Sequence, residues 1–215
     1  MSNYLTLAVI TAAIQEIVQA AVHEAVPGAT VRVGPPRAVP PGEKEVNIYL
    51  YRLSPNAELR NDDLPTRSAD GTQLLKRPCE AIRLHYLISF AGEDHLATEI
   101  MLGRVISVLH AMPVLTAETV ARIAGGNGSY PYLADSDLGA CSEHVKLTPE
   151  YLSLEELSKL WTVFFQLAHR PSLQYVVTPV MVDSDLKPVD ACIVQKVDLE
   201  DDHKARPGWL TIGAG

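Results

Sequence analysis

The sequence is short of cysteine, of positive charge and of clustered histidine, and each shortage closes off a class of function. Three cysteines among 215 residues, Cys79, Cys141 and Cys192, are too few, too scattered and odd in number for a disulfide framework, and none forms a C-x-x-C pair. Synthesis in a reducing compartment is the expectation. Lys and Arg total 18 against 26 Asp and Glu, a formal net charge of −8, whereas nucleic-acid binders carry a basic excess that displaces phosphate counterions. The densest positive neighbourhood, Arg67, Lys76 and Arg77, is interrupted or flanked by Asp62, Asp63, Asp70 and Glu80. No nucleic-acid partner is expected.

The seven histidines run from His23 to His203 without the close pair on a helix face that a metal site uses. The one glycine cluster, Gly125-Gly126-Asn127-Gly128, lacks the Lys-Ser/Thr of a phosphate cradle, and no serine sits in a G-x-S-x-G elbow. Asp135-Ser136-Asp137 and Asp183-Ser184-Asp185 lack the glycine and glutamate that complete a calcium loop, so they read as solvated turns. Neither a metal nor a cofactor is expected, and no catalytic residue is assigned. No Lys or Arg precedes Arg32, and Thr11, Gln15, Glu16 and Gln19 interrupt the apolar run from Tyr4 to Val26. That pattern predicts neither an export signal nor insertion into a membrane.

What is present is a core. At 47% hydrophobic and 20% charged residues, the chain suits one globular domain that buries about 70% of its unfolded surface. Leu7, Ile10, Ile14, Ile17, Val18, Ala21 and Ala25 recur at helical spacing opposite Gln15, Gln19 and His23, with Ser2 or Asn3 available as a cap. Pro27-Gly28 stops that helix. Residues 30–33 and 46–53 read as strands, and residues 81–90 alternate, with Ile82, Leu84, Tyr86, Ile88 and Phe90 on one face and Arg83, His85 and Ser89 on the other. His85 is expected to be hydrogen-bonded on a half-exposed sheet face.

A second helix is predicted from His95 to Met112 after an Asp94 cap, with Ile100, Met101, Val105, Val108, Leu109 and Met112 as its buried stripe. A third runs from Thr116 to Ala124, and a strand covers 143–147. Ser153-Leu154-Glu155-Glu156 is a capping-box signal for a helix carrying Leu157, Leu160, Trp161, Phe164 and Phe165. Residues 174–182 are apolar and β-branched, but Pro179 predicts an edge strand or a bulge. The expected division is a domain over 1–183 and a C-terminal tail over 184–215, polar, acidic at Asp198, Glu200, Asp201 and Asp202, and serving docking or flexible extension.

Between the second and third strands lies a polar stretch from Ser54 to Glu80, far longer than the ~2–5 residues of an ordinary hairpin connection. Its amides, opposite charges and fixed turns suit a specific polar interface better than catalysis. The run from Val46 to Arg67, VNIYLYRLSPNAELRNDDLPTR, resembles the signature of the cap, or tail-terminator, proteins of extracellular contractile injection systems, which are phage-tail-like particles. Asn3-Tyr4-Leu5, Arg83-Leu84-His85-Tyr86-Leu87, Leu102-Gly103 through Leu109-His110 with Pro113-Val114-Leu115, and Leu154-Glu155-Glu156-Leu157 to Leu160-Trp161 fall in matching order. The resemblance spans roughly residues 1–183.

It implies an α/β (α+β) tail-terminator fold, a mixed, largely antiparallel sheet flanked by helices, assembled as a six-fold ring. The implied role is structural: closing the baseplate-distal end of inner tube and sheath and stopping their polymerisation. The implied partners are further copies of the chain as a homohexamer and the tube and sheath proteins, in a particle assembled in the cytoplasm and open to release. Arg52, Asn56, Arg60, Asn61, Asp62, Leu64, Pro65 and Arg67 become candidates for loop architecture and for subunit, tube or sheath contacts. The alternatives are a baseplate or adaptor component, and a small hydrolase with a Ser/His/Asp set around His85 or His144.

Overall fold

In the computed structural model, the described residues are 3–59, 79–92, 95–124, 130–133, 135–136, 138, 145–164 and 167–184. All belong to one compact unit, Met1–Leu64 with Pro78–Leu186; a second, Pro65–Arg77 with Lys187–Gly215, lies outside them. The elements run α1 (Thr6–Ala25), β1 (Thr30–Val33), β2 (Glu45–Pro55), β3 (Cys79–Ala91), α2 (His95–Ala111), β4 (Val114–Leu115), α3 (Ala117–Ala124), β5 (Val145–Glu150), α4 (Leu154–Thr162) and β6 (Ser172–Asp183).

The six strands form one sheet in the order β1-β2-β3-β6-β5-β4. Only β1 and β2 pair in parallel; the other neighbours are antiparallel. A mixed, largely antiparallel sheet flanked by helices is thus the observed architecture.

α1 forms where the helical spacing lies, and it buries more than one stripe. Val9, Ile10, Ala13, Ile14, Val18 and Val22 are all buried in the main core, while Leu7 and Ala25 pack at its rim. Each buried Val or Ile side chain among them contributes ~1.5–3 kcal/mol. By length and composition α1 could cross a membrane, but here its apolar surface is spent on the sheet and on α2. Asn3 sits ahead of the helix, its Oδ1 accepting the Leu5 N–H at 3.1 Å. Gly28, at φ +82°, takes the left-handed conformation that turns the chain into β1.

Gln15 and Gln19, opposite the apolar stripe, are half-buried and turn toward β1. Gln19 Nε2 donates to Ala29 O and its Oε1 accepts the Val31 N–H at 2.8 Å, while Gln15 Nε2 donates to Val31 O. The two amides close the outer edge of β1, which would otherwise offer open backbone groups.

β3 is central and buried on both faces. Leu84, Tyr86, Ile88 and Phe90 join Val46, Ile48 and Val177 under α1 and α2, but Leu87, His85 and Ser89 on the opposite face are buried too. His85, 6% exposed, is therefore not on the half-exposed face expected for it. The cover on that side comes from α4 and the segment after it: Tyr49 packs edge-on to Phe164 at 5.7 Å, and Phe164 on Trp161 at 5.5 Å.

β6 is also central, between β3 and β5, so the edge expectation from Pro179 is corrected. The bulge expectation is met. Register with β3 steps from Val180 opposite Ile82 to Val177 opposite Leu84, leaving Thr178 and Pro179 unmatched on that side. A proline that cannot donate to the ladder is accommodated where the ladder is interrupted.

α2 buries Ala97, Met101, Val105 and Leu109, but Ile100 is 52% and Met112 41% exposed, which corrects the predicted stripe. The short β4 beyond Pro113 went unpredicted. Thr116 caps α3 through its hydroxyl, which accepts the Thr119 N–H. α4 carries the full capping box: Ser153 Oγ accepts the Glu156 N–H, and the Glu156 carboxylate accepts the Ser153 N–H. Asp94, Phe165 and the 125–129 break lie outside the described residues.

Candidate functional site

The long connection leaves the sheet where β2 ends and returns where β3 begins, and the polar groups of interest gather at that root. β2 steps in register between Leu50 and Arg52, so Tyr51 has no cross-strand partner. The Arg52 side chain is exposed. Asn56, by contrast, is 3% exposed. Its Nδ2 donates to Thr178 Oγ1 at 3.2 Å, and its Oδ1 accepts the Glu58 N–H at 3.2 Å and an Arg83 guanidinium N–H at 3.3 Å. Its backbone N–H donates to Ala81 O at 2.8 Å.

Asn56 thus fastens the first turn of the loop to β3 and to the bulge of β6. Its side chain belongs to loop architecture and offers no surface for direct subunit contact. Arg83 also pairs with the exposed Glu58 at 3.1 Å. The remaining candidates, Arg60, Asn61, Asp62, Leu64, Pro65 and Arg67, lie outside the described residues, as does His144.

Beside this root a chain of polar contacts crosses the sheet. Ser54 Oγ lies 2.8 Å from His85 Nε2, and His85 Nδ1 lies 2.8 Å from Glu150 Oε2. The Tyr51 hydroxyl donates to the same carboxylate oxygen at 3.4 Å, and its ring sits edge-on to His85 at 6.1 Å. Burial and the Glu150 charge push the Tyr51 phenol up to about 12. Both ring nitrogens of His85 are thus engaged, one by a carboxylate that can only accept when ionised and the other by a hydroxyl that can donate or accept.

That order of groups is also found in nucleophilic hydrolases. Catalysis further needs donors preorganised around a developing oxyanion and room for a substrate. Ser54 instead sits within the β2–β3 ladder opposite Arg83. The cavities between α1 and β2, beside Pro40 and Arg170, and along α4 are lined by other residues. The network ties β2, β3 and β5 together across the sheet. Sequence reading found His85 but not Glu150, because the two are 65 positions apart and nothing in the order of residues joins them.

Comparison with known proteins supplies the context. No curated protein matches the chain. Among solved structures, the fold is similar to the sheath/tube terminator of the extracellular contractile injection system PVC in its extended state. That match has a TM-score of 0.56 and 17% identity, covering 91% of this chain and 66% of the other. It is similar also to the tube-terminating cap of the anti-feeding prophage AFP, with a TM-score of 0.57 and 17% identity, covering 88% of this chain and 59% of the other. The chain thus spans less than two thirds of the length of either protein. The family model for the Pvc16 N-terminal domain matches residues 9–196, and the chain belongs to that family.

Proposed function

We propose that the chain is a structural cap of a contractile injection system. In this reading its subunits form a six-fold ring on the last turns of tube and sheath at the end opposite the baseplate. They stop further addition and hold the two layers together during contraction. The observation that carries the reading is the family match over residues 9–196, joined by a fold shared with two terminators over about nine-tenths of the chain.

The residues fit such a role. A head-to-tail ring needs two different patches on one subunit, and a 23-residue connection between β2 and β3 is a natural source of one. Arg52, Arg60, Asn61, Asp62, Leu64, Pro65 and Arg67 would act there, with Asn56 as the fixed root. The tail from residue 184 would dock on tube or sheath. A net charge of −8 suits a tube that holds no polyanion. The role requires no catalysis, and Ser54, His85 and Glu150 serve the fold.

An affinity-labelled chain imaged in intact particles tests the placement. The label belongs at the baseplate-distal end; a label at the baseplate would replace this reading with the adaptor one.

A further inference from the structure

On the sheet face turned away from α1, three polar side chains are buried where apolar ones would be usual. Glu45, Asn47 and Ser89 are 2%, 1% and 1% exposed. Asn47 and Ser89 lie directly opposite each other in the β2–β3 register, and Glu45, two residues along β2, shares their face. Each offers one buried oxygen that no group among the described residues satisfies: Glu45 Oε1, Asn47 Oδ1 and Ser89 Oγ. Neighbouring groups are already engaged. Glu45 Oε2 accepts from Arg37 Nε and Nη2 at 3.3 and 2.8 Å, and Asn47 Nδ2 donates to Gly34 O at 3.0 Å, which leaves Oδ1 as the free end of the amide. On the other side of Ser89, β6 places Ser172, whose hydroxyl accepts from Gln174 Nε2.

The three oxygens define what fits between them. A carboxylate paired with arginine and an amide carbonyl can only accept, whereas a serine hydroxyl can donate. The ligand must donate twice and accept once, which is the valence of one water, and buried waters typically make about 3 such bonds. Directly opposite Cβ atoms in an antiparallel pair are ~4.5–5.5 Å apart, a span that one water bridges with two bonds of ~2.8 Å. The larger cavities beside α1, Pro40 and α4 are lined by other residues, so nothing here has the dimensions of an organic ligand site. Two accepting oxygens repel an anion. A cation gains little, because Arg37 already pairs with the carboxylate and the partly desolvated Arg170 also feels its charge.

We propose that a single buried water bridges Glu45 Oε1, Asn47 Oδ1 and Ser89 Oγ and locks the connection between β1 and β2. That connection, residues 34–44, joins two parallel strands without a helix and contains Pro35, Pro36, Pro40 and Pro41. Two side chains hold it to the sheet: Asn47 through Gly34 O, and Glu45 through Arg37. The water ties the free end of each to β3 at Ser89, so both holds are braced at one point. Buried polar groups of this kind are expensive to leave unpaired, and a shared water satisfies all three at once. The site is independent of the cap reading.

A crystal structure of the full chain at about 1.5 Å or better is the first test. It should show one solvent peak ~2.7–3.2 Å from all three oxygens, unchanged after a rubidium soak. Oxygens that pair with each other or with another protein group, with no peak between them, overturn the proposal. A peak that acquires anomalous signal from rubidium also overturns it and makes the site a cation site. In solution, Ser89→Ala takes one partner from the water without adding bulk. Amide exchange at Gly34, whose N–H donates to Ile48 O at 3.0 Å, should speed about tenfold in this variant, while Val177 in β6 keeps its parental rate. Unchanged exchange at Gly34, or equal acceleration at both amides, overturns the lock.

Discussion

His85 Nδ1 lies 2.8 Å from the Glu150 carboxylate although the strands that carry them are not neighbours: β6 runs between them. A buried imidazole and a partly buried carboxylate, joined to Ser54 and Tyr51, link three strands on the face that α4 only partly covers. Removing one member leaves the others desolvated and unpaired, and that cost exceeds the modest net worth of the bond itself.

His85→Ala is accordingly expected to lower stability by about 2–3 kcal/mol, and Ser54→Ala by about 1 kcal/mol, in urea unfolding. Hydrolysis of activated esters should stay at the uncatalysed rate for parent and variants alike. A rate present in the parent and lost in both variants would turn the network into a catalytic one.

Tyr51 provides a spectroscopic check. Its folded value, about 12, lies above the ~10 of an unfolded tyrosine. Its contribution to stability is therefore complete below pH ~10 and declines as pH rises through about 12. Absorbance titration should show late phenols from Tyr51, Tyr86 and Tyr175, all raised by burial; Tyr51→Phe should delete one of them, and Glu150→Gln should bring that one to lower pH.

At the acid end, the capping box sets the sign. Hydrogen bonds from the Ser153 hydroxyl and N–H hold the Glu156 carboxyl below its usual value. Its contribution is present above the unfolded pKa and is lost as pH falls through the folded one. Ser153→Ala is expected to cost about 1 kcal/mol at neutral pH and to flatten the acid limb of the stability profile, measured by thermal melts from pH 3 to 7.

The loop separates architecture from contact. Asn56→Ala strips partners from Thr178 and Arg83 and should destabilise the monomer by about 1–3 kcal/mol. Arg60→Glu combined with Arg67→Glu should leave monomer unfolding unchanged and weaken ring assembly. Normally capped particles from the double variant would count against the loop as an interface.

Much of the fold was legible because it is written locally. The period of α1, the Pro27-Gly28 stop, the capping box before α4 and the alternation of β3 each depend on residues within a turn or two of one another. The failures share a different cause. Pro179 leaves an edge strand and a bulge both open, and only the bulge opposite Arg83, set by the pairing with β3, decides between them. Ile100 belongs to an apolar pattern, and a pattern does not reveal which side of a doubly apolar helix meets the sheet.

The candidate site was legible only as a length of polar loop and as a resemblance. That Asn56 turns inward depends on Thr178, 122 positions away. The joining of His85 to Glu150 depends on β5 lying two strands from β3. Such juxtapositions are products of topology, which local spacing does not encode.

Termination is read directly from the length distribution of particles from a strain lacking this chain, by negative-stain electron microscopy beside a complemented strain. Overlong, unstable or open-topped tubes, restored to uniform length by complementation, are the expected result. Particles of parental length with intact tops would contradict it.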